Sequence, residues 1–254
     1  MFEQSNFDNA ALYYDLFELK SQKMYAYILE ILEKHFSSHG AHTILDLACG
    51  TGAQAIPLAQ KGYQVTACDL SASMLEIAQR KAGDLQICFC QGDMRSSYFG
   101  SFDAVIAIFN SVGYLSRADF LSALKNIRRQ TRNEKGLFIF DNTNRNALAA
   151  GQFSTGRRLD TVGEADGKKF VRFFQSDFDR VSGVMTMDWE AHVQQDPQPM
   201  ETFRGTWHRQ TYTVEEMEQI LNAAGFRVLE CYDRYGGVFQ KEQSFSVLVV
   251  AEAQ

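Results

Sequence analysis

The chain has 254 residues, of which 45% are hydrophobic and 22% are charged, so it can bury a substantial core and is not expected to be disordered throughout. Its formal net charge of −6 gives no overall attraction to nucleic acid or to anionic lipid. No apolar run approaches the roughly 20 residues that span a bilayer, and the first residues lack a basic stretch followed by an apolar one, so the sequence predicts a cytoplasmic protein with no membrane partner.

The first 40 residues combine an aromatic cluster with a helical pattern. Apolar residues recur at helical spacing from Met24 to Leu32 and predict a helix that faces the core. The cluster before it includes Phe7, Tyr14 and Phe17. Two roles are open for this cluster, because a terminal segment must dock on something to be ordered. It either holds the terminus against the core or covers a ligand.

A strand, a tight turn and a helix are predicted around residues 43–55. The apolar strand ends at Asp46, and the turn has the sequence Cys-Gly-Thr-Gly at residues 49–52. Glycine allows positive φ and lets a ligand approach the bare backbone, while the following helix presents unpaired N–H groups. Such a turn commonly holds a nucleotide-like cofactor.

Four more strands are predicted before residue 145, at residues 63–69, 85–90, 102–109 and 136–141. Helices alternate with them, opened by Ser or Thr capping boxes within 71–76 and at 116–119. Continuously apolar strands that alternate with amphipathic helices imply a parallel sheet covered on both faces, and such sheets bind ligands beyond the carboxyl ends of their strands. The residues predicted at this edge are Asp46, Asp69, Asp93, Phe109 and Asp141.

The pattern changes between residues 145 and 212. Strand-like runs at 169–178 and 184–193 are joined by a plausible hairpin connection at 180–183, and a third run covers 202–212. We expect an antiparallel β insertion that lies over the ligand edge of the sheet. A third capping box at 213–216 opens another helix.

Strands at 227–232 and 244–250 close the chain, and the short link between them suggests that the last pair is antiparallel. The predicted fold class is therefore α/β: a Rossmann-like, mostly parallel seven-stranded sheet whose last strand is antiparallel, with helices on both faces and an antiparallel β insertion after the fifth strand. The predicted core comprises residues 1–144 and 213–254, including the N-terminal helical segment 1–40, and the insertion comprises 145–212.

The five cysteines are scattered and include no Cys-x-x-Cys pair or nearby histidine at ligand spacing. We expect them to be reduced and mostly buried, and we expect no metal site. Cys88 and Cys90 alone share a predicted strand face.

Taken alone, the glycine turn fits either a dinucleotide or another adenosine-containing ligand. Gly50, Gly52 and Ala55 match the dinucleotide fingerprint, and Asp69 lies near the distance expected for a ribose-binding acid. A carboxylate at this place serves any adenosine ligand, however, because it accepts hydrogen bonds from ribose hydroxyls. A nicotinamide-dependent oxidoreductase and an inert binding protein therefore stay open as alternatives.

Six blocks in order resemble the class I S-adenosylmethionine-dependent methyltransferases, and among them the small-molecule enzymes with a β insertion, such as the amino-sugar N-methyltransferases. The first two blocks read Asp-Leu-Ala-Cys-Gly-Thr-Gly at 46–52 and Asp-Leu-Ser-Ala-Ser-Met-Leu at 69–75. The others are residues 92–95, 102–105 with 109–114, 136–141, and 212–216 leading to 223–226.

The resemblance implies that S-adenosylmethionine is the cofactor and S-adenosylhomocysteine its product. Asp69 would hold the ribose, Asp93 would accept a hydrogen bond from the adenine amino group, and the ring of Tyr14 would close over the sulfonium, whose charge its π face attracts. The full set of implied cofactor residues is Tyr14, Asp46, Ala48, Gly50, Asp69, Leu70, Met74, Asp93, Met94 and Phe109.

Methyl transfer from a sulfonium is an in-line displacement, so positioning supplies much of the rate, and a general base is needed only if the acceptor arrives protonated. The catalytic candidates are Tyr14 and His208. Tyr14 is one because of its implied place over the sulfonium, and His208 is a possible base because imidazole has an ordinary pKa near neutrality. The residues expected to bind the acceptor are Asn110, Tyr114, Asn142, Trp207 and Arg209.

The expected acceptor is a small molecule with an N or O nucleophile. Phe-Asn-Ser at 109–111 differs from the motif of enzymes that methylate planar amino groups, and no Pro-Cys nucleophile for cytosine C5 chemistry is present. Overall acidity disfavours nucleic acid, although a tRNA or protein acceptor stays open. The sequence leaves the oligomeric state open, with a homodimer as one option.

Overall fold

The computed structural model describes residues 11–132 and 135–254. Phe7 and the first ten residues of the predicted core lie outside the described residues. The helices are α1 (Ala11–Phe17), α2 (Gln22–His39), α3 (Ala55–Gln60), α4 (Ala72–Ala82), α5 (Arg117–Gln130), α6 (Arg145–Ala149) and α7 (Val214–Ala223), with 3-10 turns at Leu19–Ser21 and Ser111–Tyr114.

Seven strands form one sheet in the order β10-β11-β5-β4-β1-β2-β3. Their bounds are β1 (Thr43–Leu47), β2 (Gln64–Asp69), β3 (Ile87–Gln91), β4 (Ala104–Ala107), β5 (Leu137–Thr143), β10 (Phe226–Asp233) and β11 (Ser246–Ala253). Only β11 runs antiparallel to its neighbours, β5 and β10. The predicted fold class is confirmed. Because β1 pairs with both β2 and β4, the strand order reverses there, where such sheets bind ligands.

The central strands are buried on both faces, because alternate side chains enter two separate cores. Val105 of β4 and Phe138 of β5 pack in one core with α5 and α7. Their neighbours Ile106 and Ile139 pack in the other core with α2. Helices on both sides therefore hold the sheet rigid and leave its strand ends to carry the site.

Helix starts agree with the sequence in two places and differ in one. Ser116 and Thr213 cap α5 and α7 as predicted, and Thr213 forms a complete capping box. At α4, however, the hydroxyl of Ser71 accepts a hydrogen bond from the Met74 amide, and methionine cannot return the bond as glutamate would. The predicted box at this helix is therefore a single cap.

Four strands form a second, antiparallel sheet in the order β6-β7-β8-β9. Their bounds are β6 (Gly156–Ala165), β7 (Lys168–Asp179), β8 (Val184–Gln194) and β9 (Glu201–Gln210). The predicted hairpin at 180–183 joins β7 to β8. Strand β6 escaped sequence analysis because its side chains are largely exposed and give no apolar alternation. The division of the chain into core and insertion stays a prediction.

Helix α1 contacts the antiparallel sheet on one side and the glycine turn and α4 on the other. Leu16 and Phe17 pack in the apolar core of the antiparallel sheet. On its other side, Asp15 accepts a hydrogen bond of 2.6 Å from the Thr51 hydroxyl in the glycine turn and pairs with Lys81 at 2.7 Å. The N-terminal segment therefore connects the glycine turn to the second sheet.

The cysteines are less buried than expected. Cys49 and Cys68 are buried, but Cys88 is exposed on the edge strand β3, and Cys90 and Cys231 are half-buried. The prediction of mostly buried cysteines was wrong because an edge strand leaves one side open. No cluster of three metal-ligating side chains occurs in residues 11–132 and 135–254. No helix in these ranges is long and apolar enough to cross a bilayer.

Candidate active site

A cavity of about 1030 Å³ lies between the carboxyl edge of the parallel sheet, the N-terminal segment and the antiparallel sheet. Nine of the ten predicted cofactor residues line it: Tyr14, Ala48, Gly50, Asp69, Leu70, Met74, Asp93, Met94 and Phe109. Tyr114, Trp207, His208 and Arg209 line it as well. Residues from distant parts of the chain are thus brought together, and their individual roles stay predictions.

Three predicted site residues do not line the cavity: Asp46, Asn110 and Asn142. Asn142 is fully buried in β5, where its amide donates to the carbonyl of Gln210 at 3.4 Å. Asn110 is 1% exposed and its side-chain oxygen accepts a 2.8 Å bond from the Thr143 amide. Both asparagines tie neighbouring chain segments together, and we no longer assign them to the acceptor.

Asp69 organises the loops where β1 and β2 end at the cavity. Its carboxylate accepts hydrogen bonds from the Gly50 amide at 2.8 Å and from the Ser71 amide at 2.9 Å. Gly50 and Gly52 have φ of +54° and +86°, values that glycine reaches without steric cost. A Cβ on Gly52 would also lie 2.8 Å from Ile56. One carboxylate therefore fixes the turn after β1 and the cap of α4.

Asp93 is a second carboxylate on the cavity wall near Asp69. Hydrogen bonds from the Arg95 side chain lower the pKa of Asp93, although partial burial opposes them. Arg95 also reaches Asp119 on α5 at 3.3 Å. The carboxylate is thus ionised and held in one orientation, as an acceptor of amino-group hydrogen bonds requires.

Asp46 lies behind the glycine turn and is 2% exposed. Its Oδ2 has no hydrogen-bond partner among the described residues. Burial raises the pKa of Asp46 to about 8, the nearby Asp69 carboxylate adds to the rise, and the Ala55 amide opposes it. The carboxyl is therefore largely protonated at neutral pH in the cofactor-free protein.

We expect Asp46→Asn to change how stability depends on pH. The folded wild type keeps a proton that the unfolded chain releases above its ordinary pKa, so this contribution is complete below pH 4 and is lost as pH rises through about 8. Stability of D46N relative to wild type should rise by about 1.4 kcal/mol per pH unit across this window. Urea unfolding at several pH values measures the effect, and a stability difference between D46N and wild type that does not change with pH would contradict the raised pKa of Asp46.

Backbone strain is concentrated beside the cavity. Ala48 after β1 and Phe109 and Asn110 after β4 have φ of +59°, +70° and +58°. Such left-handed conformations cost non-glycine residues energy and persist where the surroundings enforce them. Here Asp141 accepts the Asn110 amide with both carboxylate oxygens at 3.1 Å. These left-handed residues turn the backbone sharply at the ends of the adjacent strands β1 and β4. Both turns therefore contribute a residue to the cavity wall, Ala48 and Phe109.

Arg234 is a buried cation that the sequence analysis did not identify. It is 8% exposed, lines the cavity and donates to the Asp141 carboxylate at 2.5 Å and to the Tyr235 hydroxyl at 2.7 Å. Burial opposes its charge, but Asp141 and Tyr235 together outweigh burial and raise the pKa of Arg234. Its Nε has no partner among the described residues. The link between β10 and β11 thus places a fixed cation at the strand edge.

Tyr14 and Phe109 lie on the cavity wall, where a neighbouring ring supports Phe109. Tyr25 contacts Phe109 edge to face, with ring centroids 4.5 Å apart. Burial raises the pKa of Tyr14 well above its ordinary value, and the Glu18 carboxylate adds to the rise. Tyr14 is therefore a neutral phenol at physiological pH and cannot act as a phenolate base.

The second sheet is held to the N-terminal segment by buried charges. Arg172 of β7 is 4% exposed, and its guanidinium donates to Glu18 at 2.9 Å and to Asp160 at 2.7 Å. Lys20 also pairs with Asp160. Burial opposes the charge of Arg172, but the two carboxylates outweigh it and raise its pKa. Because these residues also line the cavity, the network forms part of its roof.

Strand β9 supplies the cavity wall opposite the parallel sheet. Trp207 packs against Phe174 with ring centroids 5.5 Å apart. His208 Nδ1 lies 3.1 Å from the Thr186 hydroxyl. Arg209 donates to the Tyr114 hydroxyl from Nη2 at 2.8 Å and from Nε at 3.3 Å. Aromatic, basic and hydrogen-bonding groups thus lie together on the part of the cavity wall that β9 forms.

Several wall residues carried only a weak sequence signal. Arg172 stands between Phe170 and Phe174 on the buried face of β7, so a cation within an apolar alternation marked it. Arg234 precedes two glycines in a short connection and gave no periodic signal. The wall residues that sequence analysis missed include Glu18, Lys20, Lys23, Arg158, Asp160, Arg172, Phe174, Met185, Met187, Arg234 and Tyr235.

Known proteins share this sequence pattern and fold. Residues 44–134 match a family model described as a methyltransferase domain. The chain is 33% identical over 195 residues to the putative methyltransferase YqeM of Bacillus subtilis strain 168, covering 73% of each chain. It is 30% identical over 237 residues to a putative methyltransferase of Geobacillus sp. strain WCH70, covering 86% of this chain and 87% of the relative.

Among solved structures, the sugar N-methyltransferase KedS8 from Streptoalloteichus sp. ATCC 53650 has the same fold, with a TM-score of 0.73 and 22% identity. The match covers 95% of this chain and 92% of KedS8. The strand order, the glycine turn and the acids at the strand ends agree with the sequence relatives in pointing to one family. The chain belongs to the class I S-adenosylmethionine-dependent methyltransferases.

Proposed function

We propose that the protein transfers the methyl group of S-adenosylmethionine to a nitrogen or oxygen of a small-molecule acceptor. One observation carries this proposal: a single cavity joins the acidic strand ends to the wall of the antiparallel sheet. Its volume of about 1030 Å³ is at the upper end of the roughly 300–1,000 Å³ of ligand pockets, so cofactor and acceptor can occupy it together. The likeness to a sugar N-methyltransferase also favours a small acceptor.

The proposed cofactor site extends along the carboxyl edge of β1, β2 and β3. Asp69 would accept hydrogen bonds from the ribose hydroxyls, and Asp93 would accept a hydrogen bond from the adenine amino group. Leu70 and Met74 would pack on the adenine, with Met94 beside it. The methionine portion would lie along Ala48 and Gly50 toward Phe109.

The proposed chemistry is mainly alignment and exclusion of water. A neutral Tyr14 can place its ring or hydroxyl beside the sulfonium without removing a proton from the acceptor. The roof formed by Glu18, Arg172 and Asp160 closes the cavity above it. Alignment of nucleophile, methyl and sulfur then lowers the barrier without a covalent intermediate.

His208 is the proposed general base for an acceptor that arrives protonated. It is the histidine on the cavity wall among the described residues, and its Nδ1 contact with Thr186 orients the ring. We expect His208→Gln to lower kcat by about 100-fold, since general-base catalysis contributes that order. Steady-state kinetics against pH measure it. His192→Gln is the matched control, because His192 lies on β8 against Glu190, outside the cavity wall. Equal rates for H208Q and H192Q would contradict the role.

The test of function is transfer of labelled methyl from S-adenosylmethionine to a metabolite extract. Label is expected in a compound of low molecular mass. Label in tRNA or protein instead would contradict the small-molecule proposal and support the alternative acceptors. Binding of S-adenosylhomocysteine without any transfer would support an inert binding protein.

A further inference from the structure

We infer that the acceptor carries an oxyanion group, a carboxylate or a phosphate, that binds to Arg209 at the antiparallel-sheet end of the cavity; this inference rests on the proposed function. It follows from which charges on the cavity wall are already neutralised and which are not.

Most charged groups on the wall are neutralised within the protein. Arg95 is paired with Asp93 and Asp119. Arg172 and Lys20 share Asp160, and Arg172 also holds Glu18. Arg234 is paired with Asp141. These groups have their ionic partners before any ligand arrives, so an acceptor gains little from them.

Three wall cations have no carboxylate within 4 Å among the described residues: Lys23, Arg158 and Arg209. Lys23 is exposed, and Arg158 donates to a backbone carbonyl in an exposed loop. Arg209 is half-buried and has only neutral partners. Of the three, Arg209 is the cation expected to bind an anionic ligand most strongly, because its guanidinium is partly desolvated and has no carboxylate partner among the described residues.

Arg209 is also held in place for binding. Its guanidinium lies 5.2 Å from the ring centroid of Tyr114 and 5.5 Å from that of Trp207. Two of its N–H groups share the single Tyr114 hydroxyl oxygen, and the remaining three N–H donors of the fork have no partner among the described residues. A planar fork fixed by aromatic contacts matches the geometry of a carboxylate or phosphate and loses little entropy on binding it.

The sign of the whole wall agrees with this assignment. Among the described residues, the basic wall residues outnumber the acidic ones by seven to five. The basic residues are Lys20, Lys23, Arg95, Arg158, Arg172, Arg209 and Arg234, and the acidic residues are Glu18, Asp69, Asp93, Asp119 and Asp160. In the whole chain, by contrast, the 31 acidic residues outnumber the 25 basic ones. The sulfonium adds positive charge when the cofactor binds, so the filled site favours an anion.

The product of the methylation assay tests the charge of the acceptor directly. Labelled product is run by capillary electrophoresis at pH 11, where amines are uncharged and carboxylates and phosphates are ionised, with a reaction lacking enzyme to identify breakdown of S-adenosylmethionine. We expect the product to move as an anion. Treatment with phosphatase and pyrophosphatase abolishes this mobility if the group is a phosphate and leaves it if the group is a carboxylate. A neutral product overturns the inference.

Arg209→Gln tests the residue, with Arg204→Gln as its matched control. Arg204 lies on the same strand and changes the net charge equally, but it pairs with Glu190 outside the cavity wall. R209Q is expected to raise KM for the purified acceptor at least tenfold relative to R204Q, and Arg209→Lys should lie between them. Both variants should bind S-adenosylhomocysteine like wild type, which also reports correct folding. A tenfold loss of that binding in R209Q would place the cofactor carboxylate at Arg209 and overturn the inference.

A binding experiment tests this inference separately from the proposed function. Inorganic pyrophosphate and acetate are titrated into protein saturated with S-adenosylhomocysteine. We expect at least one anion to bind, with at least tenfold weaker binding to R209Q than to R204Q. If pyrophosphate and acetate each bind to R209Q and R204Q with equal affinity, the inference of an anion site at Arg209 is wrong. A complete absence of methyl transfer, with the anion difference intact, would count against the proposed function alone.

Discussion

Asp69→Ala is expected to weaken binding of S-adenosylhomocysteine by about 3 kcal/mol, or a factor of about 100. The alanine removes the proposed acceptor of the ribose hydroxyls. It also frees the amides of Gly50 and Ser71, which the carboxylate holds at 2.8 and 2.9 Å. Both the ligand contact and the shape of the glycine turn are therefore lost. Isothermal titration measures the affinity.

Two further variants separate the ligand contact from the support of the turn. Asp69→Asn keeps one acceptor oxygen and should lose less affinity than D69A. Asp84→Ala removes an equal charge at an exposed position before β3 and should bind like wild type. If D69A retained wild-type affinity, Asp69 would not lie at the ribose.

Arg172→Met is expected to lower the free energy of unfolding by about 3 kcal/mol, because removing one partner of a buried ion pair leaves the other charges uncompensated. Arg172 is 4% exposed, and its guanidinium is paired with Glu18 and Asp160. It also lies 5.1 Å from the ring centroid of Phe17 in α1. Docking of the N-terminal segment should weaken together with global stability. Urea denaturation and proteolysis at the N-terminal segment measure the two effects.

Arg204→Met serves as the comparison for R172M. Arg204 is paired with Glu190 at 2.7 Å, but its side chain is 69% exposed. Exposed pairs contribute roughly 0–1 kcal/mol, so R204M should unfold almost as wild type does. Equal losses in both variants would show that the buried network has no special part in attaching the N-terminal segment to the second sheet.

The sequence predicted the seven-stranded sheet well because apolar strands buried on both faces leave a continuous local signal. Asp69 and Asp93 were identifiable because Asp69 ends the predicted second strand and Asp93 stands shortly after the predicted third strand. Strand β6 gave no such signal, because its residues are mostly exposed.

The roof and the buried cation Arg234 could not be predicted, because they depend on pairings between distant residues. Glu18 meets Arg172 across 154 positions, and Arg234 meets Asp141 across 93. No local periodicity encodes such contacts. Asn110 shows the converse case: its place next to a strand end suggested a ligand contact, and in the structure its side-chain oxygen accepts a hydrogen bond from the Thr143 amide.

The two ends of the antiparallel sheet segment meet at one place on the parallel sheet. The Arg145 amide donates to the Tyr212 carbonyl at 2.9 Å, and Asn144 forms a parallel bridge with Tyr212. A segment whose ends are already adjacent can change in length at small entropic cost, since closure depends only weakly on loop length. The antiparallel sheet can therefore be replaced or remodelled as a module, and under the proposed function such a change would alter the acceptor while leaving the cofactor side of the cavity intact.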